Sequence, residues 1–200
     1  QYLRKWQEVD FNDIKFNCSS MEESGDLVEK WYPYNKGGSF RRWYGNNELI
    51  INWKNNGHEV RKFKGSTIRN PSFHFKEGIT WSTLTSGQIS FRYNKGGFLF
   101  DSKGANCIVK DEKNFYYLFG LLNSSVITSL LKILSPTLDF NVGPISNIPI
   151  LLSTYKRDIV NELVVENVQL TKEEWDSFET SWDFSKHPFI EKSQLVSKES

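Results

Sequence analysis

The chain has 200 residues, 24% charged and 38% hydrophobic, a balance that describes an ordinary globular protein and excludes a disordered one. Its net charge of +1 hides an asymmetry: Lys30 to Lys110 holds fourteen bases against four acids, a net +10, whereas the chain from Leu151 onward holds six bases against ten acids, a net −4. A basic half beside an acidic tail suits a polyanion bound on one side only, and the most apolar stretch, Phe115 to Leu134, is too interrupted by Asn123, Ser124, Ser125, Thr128, Ser129 and Lys132 to be a membrane span.

The chain begins at Gln1, its only methionine is Met21, and no basic lead-in precedes an apolar run. It therefore reads as a fragment of a longer cytoplasmic polypeptide without a signal peptide. Cys18 and Cys107 match no metal-ligand spacing and read as buried thiols. Tyr2 to Phe16 gives weak alternation only. Lys30 to Trp53 is β-rich, with turns at Lys36-Gly37-Gly38 and Gly45-Asn46-Asn47, strand-forming Phe40, Trp43 and Tyr44, and a short apolar strand, Glu48 to Trp53, that Asn55-Asn56-Gly57 ends. Gly78 to Ser82, Gln88 to Tyr93 and Gly97 to Asp101 are predicted strands.

Tyr-Asn-Lys-Gly-Gly occurs twice, at Tyr34 to Gly38 and Tyr93 to Gly97. Either these are two unrelated turns or two similar strand-end loops, each offering a lysine and free backbone N–H groups. From Asn114 the period changes to that of helices. Phe115 to Leu122 and Ser125 to Leu134 are predicted helices with Asn123 and Ser124 as break or N-cap, and Pro136 stops the second. Pro136 to Ile150 reads as extended and turn-rich. A further helix is expected from about Thr154 to Val168, with Ile159, Leu163 and Val164 inward. Thr171 to Glu174 has the form of a capping box opening a short helix through Phe178, and the tail after Phe189 is polar and expected to fray. Strands first and helices after indicate an α+β fold, mainly antiparallel, with residues 1–150 as one domain and 151–200 as a helical appendage.

The sequence carries no complete catalytic motif. Asn70-Pro71-Ser72-Phe73 resembles the Asn-Pro-Pro-aromatic motif that grips an adenine amino group, but it follows the basic, polar run Arg61 to Arg69 rather than an apolar strand. No glycine-rich turn with a downstream acid offers a place for S-adenosylmethionine. Asp101 with Asp111-Glu112-Lys113 loosely imitates a Mg²⁺ nuclease set. His58, His74 and His187 stand apart from one another and from the cysteines, so no zinc site follows.

Three stretches carry a resemblance. They are Lys30 to Gly57 (KWYPYNKGGSFRRWYGNNELIINWKNNG), Phe75 to Cys107 (FKEGITWSTLTSGQISFRYNKGGFLFDSKGANC), and Leu118 to Ile150 together with Trp175 to Pro188 (WDSFETSWDFSKHP). They are similar to the PglX family of adenine-specific DNA methyltransferases from BREX phage-defence systems. The Leu-Asn-Ser helix followed by Asn147-Ile148-Pro149 also resembles the TaqI-like specificity domains of other adenine methyltransferases and restriction-methylation enzymes. The resemblance implies a target-recognition region that reads double-stranded DNA. It implies no catalytic residue, metal or cofactor in this segment, and a parent protein that uses S-adenosylmethionine to methylate adenine N6. Expected partners are duplex DNA, the upstream methyltransferase domain and other defence-system proteins, with no membrane.

Lys36, Arg41, Arg42, Arg92 and Lys95 are the candidates for phosphate contact. Asn46, Asn94, Thr80 and Ser82, with Asn35 and Gln88, are candidates for base edges, and Trp43 and Tyr44 for packing against sugar or a displaced base. Trp53, Trp81 and Phe100 are assigned to the core, and Trp175, Phe178, Trp182 and Phe184 to docking the tail. Two other functions remain open at this point: the nuclease part of a restriction-methylation enzyme, requiring Asp101 and Asp111, and a protein-interaction platform built on the aromatic tail.

Overall fold

A computed structural model describes residues 2–190. Its strands are β1 (Leu3–Lys5), β2 (Trp31–Asn35), β3 (Leu49–Asn52), β4 (Gly78–Trp81), β5 (Phe91–Asn94), β6 (Leu99–Phe100) and β7 (Asn106–Cys107). They form two sheets, a four-stranded one in the order β1-β3-β2-β6 and a three-stranded one in the order β5-β4-β7. All pairings are antiparallel except β2 with β6, so the first sheet is mixed. The helices are α1 (Met21–Asp26), α2 (Lys54–Lys62), α3 (Phe115–Leu122), α4 (Ser125–Leu134), α5 (Val142–Ser146) and α6 (Arg157–Asp176). This is the α+β fold expected from the order of strands and helices.

Alternation along the second sheet decides what each face meets. Ile79, Tyr93 and Cys107 share one register row and join the apolar cluster that faces the helices. Thr80 sits opposite Arg92 on β5 and Asn106 on β7, so the other face is polar. The first apolar cluster unites Ile79, Trp81, Phe91, Phe119, Ile127, Leu131 and Val164; the second lies around Tyr32, Ile51, Trp53, Phe75 and Leu99.

α3 and α4 have the predicted bounds. Ser124 caps α4 by accepting the Ile127 N–H, and Ile127, Thr128 and Leu131 form its buried stripe. Burying a side chain such as Ile127 or Leu131 contributes about 1.5–3 kcal/mol. α6 differs from expectation in two ways. It runs unbroken for 20 residues, so Thr171 lies inside the helix and its hydroxyl donates to the Asn167 carbonyl (2.7 Å) instead of capping a new one. Its inner face is Val160, Val164 and Val168, at intervals of four, while Ile159 and Leu163 are 60% and 52% exposed. Val164 reaches α3 because Gly120 leaves room there: a Cβ on Gly120 would stand 2.8 Å from Val164 Cγ2.

Phe40, Trp43 and Tyr44 form no strand of their own. Residues 41–44 run beside β5 through a single parallel bridge, with Trp43 N–H donating to the Phe91 carbonyl (3.1 Å) and Tyr93 N–H to the Trp43 carbonyl (2.7 Å). The turn at Asn55-Asn56-Gly57 is present as three left-handed residues at the start of α2. Pro136 to Ile150 contains a short helix, α5, and is otherwise irregular. Cys18 and Cys107 are free thiols, Cys18 buried and Cys107 partly so. The polar tail at 191–200 lies outside the described residues.

Candidate nucleic-acid interface

The structure separates the sequence-derived candidates by depth. Lys36 and Lys95 are exposed at the ends of β2 and β5. Arg41, Arg42, Trp43 and Asn46 are half-buried, and Tyr44, Thr80, Ser82, Arg92 and Asn94 are buried. The buried five present no surface to a duplex in this conformation. Of the other base-edge candidates, Asn35 is buried and Gln88 exposed.

Most of the polar groups expected at the surface are engaged internally. Arg92 Nη2 donates to Ser82 Oγ (3.2 Å); that hydroxyl donates to the Gly38 carbonyl (3.0 Å) and accepts the Gly38 N–H (2.9 Å). Thr80 Oγ1 donates to the Ala105 carbonyl (2.9 Å), Asn94 Oδ1 accepts the Gly96 N–H (3.0 Å), and Asn46 Nδ2 donates to the Ser39 carbonyl (2.8 Å). The Gly97 N–H donates to the Phe75 carbonyl (2.8 Å). The two Tyr-Asn-Lys-Gly-Gly loops therefore do not offer free N–H groups at Gly38, Gly96 or Gly97. Both do turn through left-handed glycines, in keeping with the repeat.

The Arg41-Arg42-Trp43-Tyr44 segment is held by the end of α6. Arg41 pairs with Glu174 and stacks over Trp175 at 4.8 Å, while Lys172 stands over the Tyr44 ring at 5.7 Å and pairs with Asp176. Trp43 meets Phe119 edge-on at 5.3 Å, and Arg42 lies 5.7 Å over Phe40. Arg92 is the electrostatic exception. Its Nη1 is buried without a partner, and burial, reinforced by Arg41, lowers its pKa to about 10. The aromatic tail docks through Trp175 and Trp182, the latter on Phe16 (5.1 Å) and Phe98 (5.8 Å), and Trp6 Nε1 donates to the Thr180 carbonyl (2.9 Å), whereas Phe178 is exposed.

A second cationic surface has no counterpart among the candidates named from the sequence. Arg61, Lys62, Lys64 and Arg69 are all exposed, with no acid between them, and Arg69 borders a cavity of about 660 Å³. The signal is the run RKFKGSTIR, which by composition alone reads only as basic. The cavity walls include Tyr34, Trp53, Phe100, His74 and Asn106. Asp101 and Asp111, the acids of the nuclease reading, serve local turns: Asp101 Oδ1 accepts from the Lys103 and Gly104 N–H groups, and Asp111 from Lys113 N–H. Among the described residues no three His, Cys, Asp or Glu side chains come together to hold a metal.

No protein-family model matches the chain. Over 191 residues it is 41% identical to the adenine-specific methyltransferase PglX of Lacticaseibacillus casei (strain Zhang), an alignment covering 92% of this chain. Over 192 residues it is 36% identical to the adenine-specific methyltransferase BrxX of Escherichia coli O9:H4 (strain HS), covering 95% of this chain. The chain is similar to one segment of PglX and BrxX. It spans 16% of the length of PglX and 15% of that of BrxX, so the resemblance read from the three motif stretches extends over nearly all of it.

Proposed function

We propose that this chain is the double-stranded DNA recognition module of an adenine-N6 methyltransferase of the BREX phage-defence type, acting in the cytoplasm. In this reading S-adenosylmethionine and the methyl-transfer residues lie in another part of the parent protein. The observation that carries it is the end-to-end similarity to a segment of two adenine-specific methyltransferases. The exposed cations Lys36, Lys95, Arg61, Lys62, Lys64 and Arg69 support it, since phosphate contacts supply most of the affinity of such modules.

Duplex binding measured at about 50 and about 200 mM salt tests the reading. Binding that weakens steeply with salt, and weakens further in a Lys36→Ala/Lys95→Ala variant, supports it. A folded protein with no duplex affinity at low salt removes it.

A second reading has one observation in its favour. Ile159, Leu163 and Leu170 leave an apolar face on α6, next to Leu151 at 81% and Tyr155 at 88% exposure. In the parent this face contacts the methyltransferase domain, as exposed apolar patches commonly mark interfaces. A Leu163→Glu variant of the parent would then lose methylation while this segment keeps its melting temperature; unchanged methylation removes the idea.

A further inference from the structure

The cavity bordered by Gly65 to Asn70 has unusual walls. His74 is 4% exposed, and neither ring nitrogen makes a well-formed hydrogen bond. Its ring stands edge-on to Phe100 (4.9 Å) and Trp53 (6.2 Å). Trp53 Nε1 is also unpartnered, as are both amide atoms of Asn106. Buried polar groups are normally satisfied, and several orphans in the wall of one cavity point to a partner that enters it.

The chemistry of these groups narrows the partner. Burial lowers the His74 pKa to about 4, against a smaller upward pull from the Arg69 backbone and with a further lowering from Arg61, so its imidazole is neutral near pH 7. A neutral imidazole offers one donor and one acceptor, an Asn amide two donors and an acceptor, and an indole one donor. That set suits a neutral, flat heterocycle carrying both donors and acceptors, and the surrounding rings suit its faces. An asparagine amide can also bridge the two adjacent nitrogens of an adenine edge. Among the lining residues Arg69 is the cation available to a phosphate attached to such a base, and it is exposed. The volume falls within the range of small-molecule sites.

We propose that this cavity is a purine-nucleotide pocket, holding the base against Trp53, His74 and Asn106 with its phosphate at Arg69. The base can come from a free mononucleotide or from a DNA strand as an extrahelical base. The second source rests on the function proposed above, and the first does not.

Two titrations test it. dAMP is added to the protein and followed by tryptophan fluorescence and by saturation transfer to the purine ring protons. In parallel, a duplex carrying 2-aminopurine at a mismatch is followed by its own fluorescence. Asn106→Leu removes the amide, and Val142→Trp, at a rim position 59% exposed, fills the mouth without touching the core. The expected result is saturable dAMP binding, weakened at least about tenfold in both variants and not displaced by deoxyribose 5-phosphate. Displacement of the 2-aminopurine signal by dAMP assigns the pocket to the DNA strand. Lack of dAMP binding, binding unchanged in the Val142→Trp variant, or equal competition by the sugar phosphate overturns the pocket. Duplex binding that persists without dAMP binding overturns the pocket alone, whereas dAMP binding without any duplex affinity leaves the pocket and removes the DNA reading.

Discussion

His74 gives the molecule a titration of known sign. An unfolded histidine takes up a proton near pH 6.5, and the buried one not until about pH 4. Between those values the unfolded state binds more protons, so stability is full above pH 6.5 and declines as pH falls toward 4. The decline is on the order of 3 kcal/mol at most, since each pH unit separating the two values is worth about 1.36 kcal/mol. Denaturant unfolding at pH 7 and pH 5 should show it, and His74→Phe, which keeps an aromatic ring between Trp53 and Phe100, should flatten the difference. An equal pH dependence in the two proteins would mean that His74 is already solvated. Arg92 makes a complementary case. A buried guanidinium with one unpartnered end and no acid bridged to it among the described residues is a cost to folding. Arg92→Met, similar in length and without charge, should therefore leave the melting temperature unchanged or raise it. A clear destabilisation would mean that the hydrogen bond to Ser82 outweighs the desolvation.

At the scale of elements, the seam between α3 and α6 is the sharpest constraint. Gly120→Ala gains up to about 1 kcal/mol of helix propensity, but its Cβ would lie 2.8 Å from Val164 Cγ2 and 3.1 Å from Val160 Cγ1. Overpacking of this kind costs about 1–3 kcal/mol, so the net effect should be a loss of stability that Val164→Ala partly restores. A stabilised Gly120→Ala, measured by thermal unfolding, would show that α6 can shift outward freely. The same helix marks the limit of what the sequence makes legible. α3, α4 and the strands around Ile50, Ile79, Phe91 and Leu99 follow from local periodicity and turn residues, because each carries its own signal. α6 is mostly polar, and the stripe it packs on α3 is Val160, Val164 and Val168, with Trp175 buried near its end; which stripe turns toward α3 is set by Gly120 on that helix. The candidate site was legible as a composition and not as a surface. Arg92, Thr80 and Asn94 alternate with core residues on β4 and β5, and no local pattern says that their face is covered by the loop after β2.

On the whole molecule, two groups stand out among the exposed cations: Lys36 and Lys95 at the ends of β2 and β5, and Arg61, Lys62, Lys64 and Arg69 at and beyond the end of α2. Arg41 is a weaker candidate than its position in the sequence suggests, because Glu174 already neutralises it and Trp175 holds it. A phosphate approaching Arg41 must replace a carboxylate, whereas one approaching Lys64 replaces only water and counterions. Salt dependence separates the groups without knowledge of the recognised sequence. For every phosphate that a variant no longer neutralises, the slope of log K against log salt on duplex DNA falls by about 0.9. A Lys62→Ala/Lys64→Ala/Arg69→Ala variant should therefore flatten the slope by about 2–3 if this surface lies on the backbone, and Lys36→Ala/Lys95→Ala by about 2 if that one does. Arg41→Ala should change the slope little and instead lower the melting temperature, because the pairing with Glu174 and the stacking on Trp175 disappear together. Should Arg41→Ala flatten the slope as much as one neutralised phosphate does, while the 61–69 variant leaves it unchanged, DNA would be displacing the end of α6, and the face covered by that helix would be the binding surface.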